Sequence, residues 1–108
     1  MATRAELRLG GPSQLSTTTG AVITVPAAHT YIVKQIVVCN TDTIDRAFSL
    51  AIGSAATASN RLFSTMPIGA NDTLVFDTAI VLAATETLQG LADTNGKITV
   101  TAFGWDKY

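Results

Sequence analysis

The sequence predicts an all-β chain: a single antiparallel β-sandwich, jelly-roll or immunoglobulin-like, of about seven to nine strands with an extended N-terminal arm. Three observations predict it. Apolar residues recur with a period of two, as strands require, and not with the longer period of a helix. Turn signals built from Gly, Pro, Asn and Asp return at roughly the 8 to 12 residue spacing of sandwiches. No stretch gives an amphipathic helix, and the Ala-rich segment 54–60 could hold one turn at most. The 108 residues suit one domain with one core, divided into an arm, 1–12, and a sandwich, 13–108.

Residues 1–12 look separate because Gly10-Gly11-Pro12 breaks the chain after the amphipathic piece Ala5-Glu6-Leu7-Arg8-Leu9. Two readings stand: a frayed terminus, or an arm that orders on a neighbouring subunit. Ala21 to Val25 alternates Val22 and Thr24 against Ile23 and Val25. Tyr31 to Asn40 is a long strand with apolar residues on both faces, Tyr31, Val33, Val37 and Cys39 on one and Ile32, Ile36 and Val38 on the other. One face meets the core and the other is expected to be covered in part.

Arg46 to Gly53 reads as a half-buried strand, with Phe48, Leu50 and Ile52 inward. Arg61 to Met66 follows with Leu62 inward, then a turn over Pro67 to Asn71. Asp72 to Asp77 and Ala79 to Leu82 read as two separate strands, and Thr87 to Leu91 as another. Asp93-Thr94-Asn95-Gly96 is a hairpin signal, because Asn and Gly tolerate positive φ. Lys97 to Asp106 closes the domain, with Ile98, Val100 and Ala102 on one face and Thr99, Thr101, Phe103 and Trp105 on the other. Three turns echo one another: small residues, then Thr30, Thr73 or Thr87 entering a strand.

The composition excludes several functions. Seven Lys and Arg against eight Asp and Glu leave a net charge of −1, and the cations are scattered, so no phosphate-binding surface is expected. No apolar run is long enough to span a membrane as a helix. Met1-Ala2-Thr3-Arg4-Ala5-Glu6 lacks the apolar stretch of a signal peptide, so the expected place of synthesis is a cytoplasm. Charged residues make up 14%, against about 25% in ordinary soluble domains, which suits a surface covered by neighbours.

Chemistry-bearing residues are sparse. His29 is the only histidine and Cys39 the only cysteine, so neither a zinc site nor an internal disulfide is expected. A Cys39–His29 pair, or Asp77 with Glu86, would need the fold to bring the partners together. Asp42 and Asp45 suit turn capping better than calcium. Asn71-Asp72-Thr73 matches a glycosylation sequon but reads as a turn. Phe103, Trp105 and Tyr108 cluster at the C-terminus. Three readings fit them: a lid over one end of the core, an interface anchor, or a stacking platform for a sugar.

The order of motifs resembles that of small β-sandwich accessory proteins of tailed-bacteriophage virions, of the head-decoration or minor capsid type. The resemblance rests on Val38-Cys39-Asn40-Thr41, Phe48-Ser49-Leu50-Ala51-Ile52, Pro67-Ile68-Gly69-Ala70-Asn71-Asp72-Thr73, Ile80 through Leu88, and Gly96 through Gly104. It covers roughly residues 20 to 105. Where such proteins have Ala-Gly-Asp/Glu-Thr before a Thr-Leu strand, this chain has Ala84-Thr85-Glu86-Thr87, without the Gly.

The resemblance implies a virion role and does not fix the place on the particle; with no catalytic motif to carry over, the leading expectation is a non-enzymatic protein, without a cofactor, that binds and stabilises the head shell. Its partners would be the major capsid protein or other virion proteins, and copies of itself, a trimer suiting the three-fold positions of shells. It would be made in the bacterial host cytoplasm. Arg4, Leu7, Arg8, Leu9, Phe103, Trp105 and Tyr108 are the candidate partner-binding residues. The alternatives are a tail, neck or fibre component, or a glycan-binding module.

Overall fold

The computed structural model describes residues 4–53 and 60–108, and of Arg4 and Ala5 the backbone only. Nearly all of the Ala-rich segment 54–60 lies outside the described residues. Among these residues the chain forms β1 (Arg4–Gln14), β2 (Gly20–Thr24), β3 (Thr30–Asn40), β4 (Arg46–Ile52), β5 (Arg61–Ile68), β6 (Thr73–Leu82), β7 (Thr87–Ala92) and β8 (Ile98–Lys107). Sheet A has the order β1-β8-β3-β6 and sheet B the order β2-β7-β4-β5, all antiparallel.

This order has a simple origin. β1 pairs with β8, β2 with β7, β3 with β6 and β4 with β5. The first half of the chain therefore lies along the second half as one long hairpin. Rolling that hairpin brings β3 onto β8 and β4 onto β7. The product is a jelly roll, the first of the two sandwich topologies the sequence allowed.

The inner faces meet in one core. Val33, Ile36 and Val38 from β3 and Ile98, Val100 and Ala102 from β8 are fully buried against Phe48, Leu50 and Leu88 of sheet B. The β8 alternation is as expected. That of β3 is not. A bulge at Lys34 adds one residue between Val33 and Gln35 relative to β8. It exchanges the faces halfway along: Tyr31, Val33, Ile36 and Val38 point inward, while Ile32, Val37 and Cys39 point outward. A period-two reading through the bulge mixes the two sets.

Other boundaries shift for local reasons. The two strands expected over 72–82 are one, β6, with its own irregularity between Asp77 and Ile80, where the Thr78 hydroxyl donates to the Val33 carbonyl at 2.6 Å. On β5 it is Phe63, not Leu62, that packs on the core; Leu62 is exposed. The registers with β4 shift there, and Thr65 has a φ of 50°. Asp93–Gly96 is not a hairpin turn but an arch from sheet B to sheet A, since β7 and β8 do not pair. It is held by Gly96 N–H donating to the Leu15 carbonyl and by Asn95 Oδ1 accepting from Thr17 N–H. From Arg4 onward, the residues assigned to the arm lie along β8 as β1.

The three echoing turns are one structure used three times. His29 N–H donates to Pro26, Asp72 to Gly69 and Glu86 to Ala83, each closing a four-residue turn. The third residue of each, Ala28, Asn71 or Thr85, has φ between 55° and 70°, as in type II turns. Two residues later comes the Thr that opens β3, β6 or β7. Thr85 occupies the position where the resembling proteins carry Gly. A β-branched residue is strained there by roughly 1–2 kcal/mol. Gly104 answers the opposite need: a Cβ on it would meet the Ile32 carbonyl, and at 3.0 Å the Leu9 side chain that covers it.

Two stability changes of opposite sign are expected. Thr85→Gly should stabilise the fold by up to about 1 kcal/mol, the relieved strain exceeding the added chain entropy. Gly104→Ala should cost about 1–3 kcal/mol, because the clash is with backbone that cannot turn aside. Urea denaturation of both variants checks the pair.

Candidate interaction surface

Among the described residues no layer covers the outer face of sheet A, which carries apolar rows interrupted by Gln35 and Asp77. Solvated faces of antiparallel sheets normally carry polar residues. Here Ile32 of β3 lies between Trp105 of β8 and Val81 of β6, and Val37 lies between Thr101 and Val75. Val75 and Val81 are 56% and 59% exposed and Phe103 is 38% exposed. The alternation that buries Leu74, Phe76 and Ile80 against the core forces their neighbours outward.

At the β1 end of this face is an open groove of about 380 Å³, lined by Glu6, Leu7, Arg8, Lys34, Phe103, Gly104 and Trp105. The strand register builds it. Glu6 stands opposite Trp105, and Arg8 opposite Phe103. The bulge carries Lys34 outward from β3. Two aromatic rings thus lie beside two cations and one carboxylate, a set that can hold a partner by apolar contact and orient it by charge.

The structure gathers four of the seven candidate residues here: Leu7, Arg8, Phe103 and Trp105. Leu9 is elsewhere, buried in the core. The backbone of Arg4 pairs with Lys107. Tyr108 stacks on His29 with ring centroids 4.8 Å apart, and His29 Nδ1 lies 2.7 Å from Asp106 Oδ1. Burial first, and then the charge of Asp106, raises the Tyr31 hydroxyl above its ordinary pKa. Sequence reasoning missed Glu6 and Lys34 as parts of the groove. The available signal was a lone cation inside an otherwise apolar strand.

The chemical pairings raised by the sequence do not form. Cys39 and His29 stand at opposite ends of β3, roughly 30 Å apart at the rise of a strand. Asp77 lies on the outer face of β6, whereas Glu86 Oε1 accepts from the Ala83 N–H in the following turn. Asp42 accepts from Thr43 N–H and from the Arg46 guanidinium, and Asp45 accepts from Ala70 N–H. Buried Asn40 ties these loops together, its amide reaching the carbonyls of Ile44, Ile68 and Gly69 while its oxygen accepts from Asp42 N–H. Among the described residues no cluster of His, Cys, Asp or Glu could hold a metal ion.

The geometry defines a jelly-roll β-sandwich. No protein-family model matches the sequence, and no curated protein matches it. Solved structures share the fold. The infectious bursal disease virus VP2 subviral particle matches over 98% of this chain and 32% of its own, with a TM-score of 0.55 and 11% identity. The structure of the Gx strain of that virus matches similarly, with a TM-score of 0.55 and 9% identity over 98% of this chain and 32% of its own. A Bacillus endospore appendage protein, from disulfide-linked pili, matches over 99% of this chain and 87% of its own, with a TM-score of 0.53 and 9% identity. This chain spans about a third of the viral chains. At such identities the likeness is one of fold.

The Arg46 side chain, followed by the Thr43 N–H, holds the Asp42 carboxyl below its ordinary pKa. A lowered folded pKa contributes stability above the unfolded value, near about pH 4, and that contribution is lost as pH falls through the folded value. Asp42→Asn should therefore melt below the wild type at neutral pH, with the gap closing in acid. Thermal melts across that range measure it.

Proposed function

We propose that this chain is a non-enzymatic structural protein of a bacteriophage virion that decorates the head shell and stabilises it by protein–protein contacts. The observation that carries the reading is the outer face of sheet A, where Ile32, Val37, Val75, Val81, Phe103 and Trp105 stand outward beside a groove bordered by Arg8 and Lys34. The low charge content supports it. Jelly rolls occur in viral capsid domains as well as in lectins and cupins. The likeness to a viral subviral particle and to a pilus protein, both assemblies, runs the same way.

The mechanism is binding. Aromatic residues concentrate interface energy, so Phe103 and Trp105 anchor the partner, with Leu7 and Arg8 extending the contact along β1. The partner is the major capsid protein or another virion protein, joined by further copies of this chain, and three-fold positions of a shell suit a trimer. Whatever binds only the assembled state raises its stability.

Purified protein added to heads that lack it should bind stoichiometrically and raise the temperature at which they come apart. The double variant Phe103→Ala/Trp105→Ala should stay folded and lose about tenfold or more in affinity. Unchanged binding by that variant, or no binding of the wild type to heads, overturns the reading. Attachment to tails would move the assignment to a tail component.

A further inference from the structure

The four edge strands guard their free edges unequally. A free edge offers unpaired N–H and C=O groups to any passing strand, and proteins blunt it with Pro, charge, bulges or short length. β1 carries Glu6, Arg8 and Pro12. β2 is only five residues long. β5 starts with Arg61, carries Pro67 and shifts register twice against β4. β6 is ten residues long, with no Pro, no Gly and no cation. Asp77 is its one charge, and the irregularity between Asp77 and Ile80 its one bulge.

β6 is also close to a palindrome. About Thr78, Leu74 mirrors Leu82, Val75 mirrors Val81, Phe76 mirrors Ile80 and Asp77 mirrors Ala79. We propose that β6 pairs antiparallel with β6 of a second copy about a two-fold axis at Thr78, joining two A sheets into one. In this register the two faces match. On the outer face Val75 meets Val81 of the second copy. On the inner face Leu74 meets Leu82 and Phe76 meets Ile80. Asp77 stands opposite Ala79, so the two carboxylates do not oppose each other.

Neighbouring registers are worse. An axis at Asp77 sets the two carboxylates face to face, which is unfavourable, and puts Phe76 against Thr78. An axis at Ala79 puts Asp77 against Val81. A shift by one residue sets outer faces against inner ones. The Thr78 hydroxyl, already bonded to Val33, leaves no unpaired side chain at the axis. Because the contact is isologous, it closes as a dimer and does not grow into a filament. The inference needs no capsid and stands apart from the virion reading.

The test uses the purified full chain and light scattering from micromolar to millimolar concentration. The wild type should form a dimer as concentration rises. Val75→Lys/Val81→Lys sets Lys against Lys at both symmetric positions and should raise the dissociation constant about tenfold or more. Val75→Lys/Val81→Glu sets Lys against Glu and should recover most of that loss. Both positions are more than half exposed, so the fold should survive. A wild type that stays monomeric, or self-association that Val75→Lys/Val81→Lys leaves unchanged, or no recovery with the Lys/Glu variant, overturns the proposal. Should the Lys/Lys variant not fold, cross-linking decides. In a Cys39→Ser background, Val75→Cys mixed with Val81→Cys should give a disulfide dimer in preference to either alone, and no such preference overturns it.

Discussion

Strands β3 and β8 run antiparallel through the middle of sheet A, and the placement of every other strand in that sheet follows from theirs. β1 can join only on the far side of β8, and β6 only on the far side of β3. The contact unites residues from 58 (Asn40 and Ile98) to 77 (Thr30 and Lys107) positions apart in the chain, so its loop-closure entropy must be offset by burial. The offset is visible in Val33, Ile36, Val38, Ile98, Val100 and Ala102, all without solvent exposure. Gly104 belongs to the same contact, because the Ile32 carbonyl and Leu9 leave no room for a side chain there.

The bulge at Lys34 is what makes this central pair more than a ladder. It exchanges the faces of β3, so both halves of the strand can bury a row of apolar side chains. It also turns the cation outward beside Phe103 and Trp105. Core packing and the groove thus have one cause. The three repeated turns deliver Thr30, Thr73 and Thr87 into their strands with the same geometry. Their third residues accept a left-handed backbone that Asn tolerates well and Thr poorly.

The proposed binding role rests on the surfaces of sheet A. Its acidic side chains near Asn40 are engaged in holding loops, and its single histidine is paired with Asp106 beneath Tyr108. The apolar outer face of sheet A and the lightly guarded edge of β6 are adjacent features of one sheet. One offers side chains to a partner and the other offers backbone. An assembly that covers both would leave exposed mainly the polar loops and the ends of the roll.

The sequence by itself determined the all-β class, the alternation of β8, the existence of strands β2 to β5, β7 and β8, and the recurrence of a Thr-opened turn, because these depend on neighbours in the chain. It also marked Leu7, Arg8, Phe103 and Trp105 as surface candidates, and left the outer face of β3 to be covered. Tertiary structure decided the rest. Whether β7 and β8 form a hairpin or an arch depends on which sheet each joins, and no local signal in Asp93–Gly96 distinguishes them. Which β3 residues face the core depends on one extra residue at Lys34, whose effect appears only when β8 lies alongside. Leu9 and Leu62 show the same limit: their burial is set by Gly104 and by the irregular path of β5. Periodicity reports which residues share a face, but only strand pairing decides what that face meets.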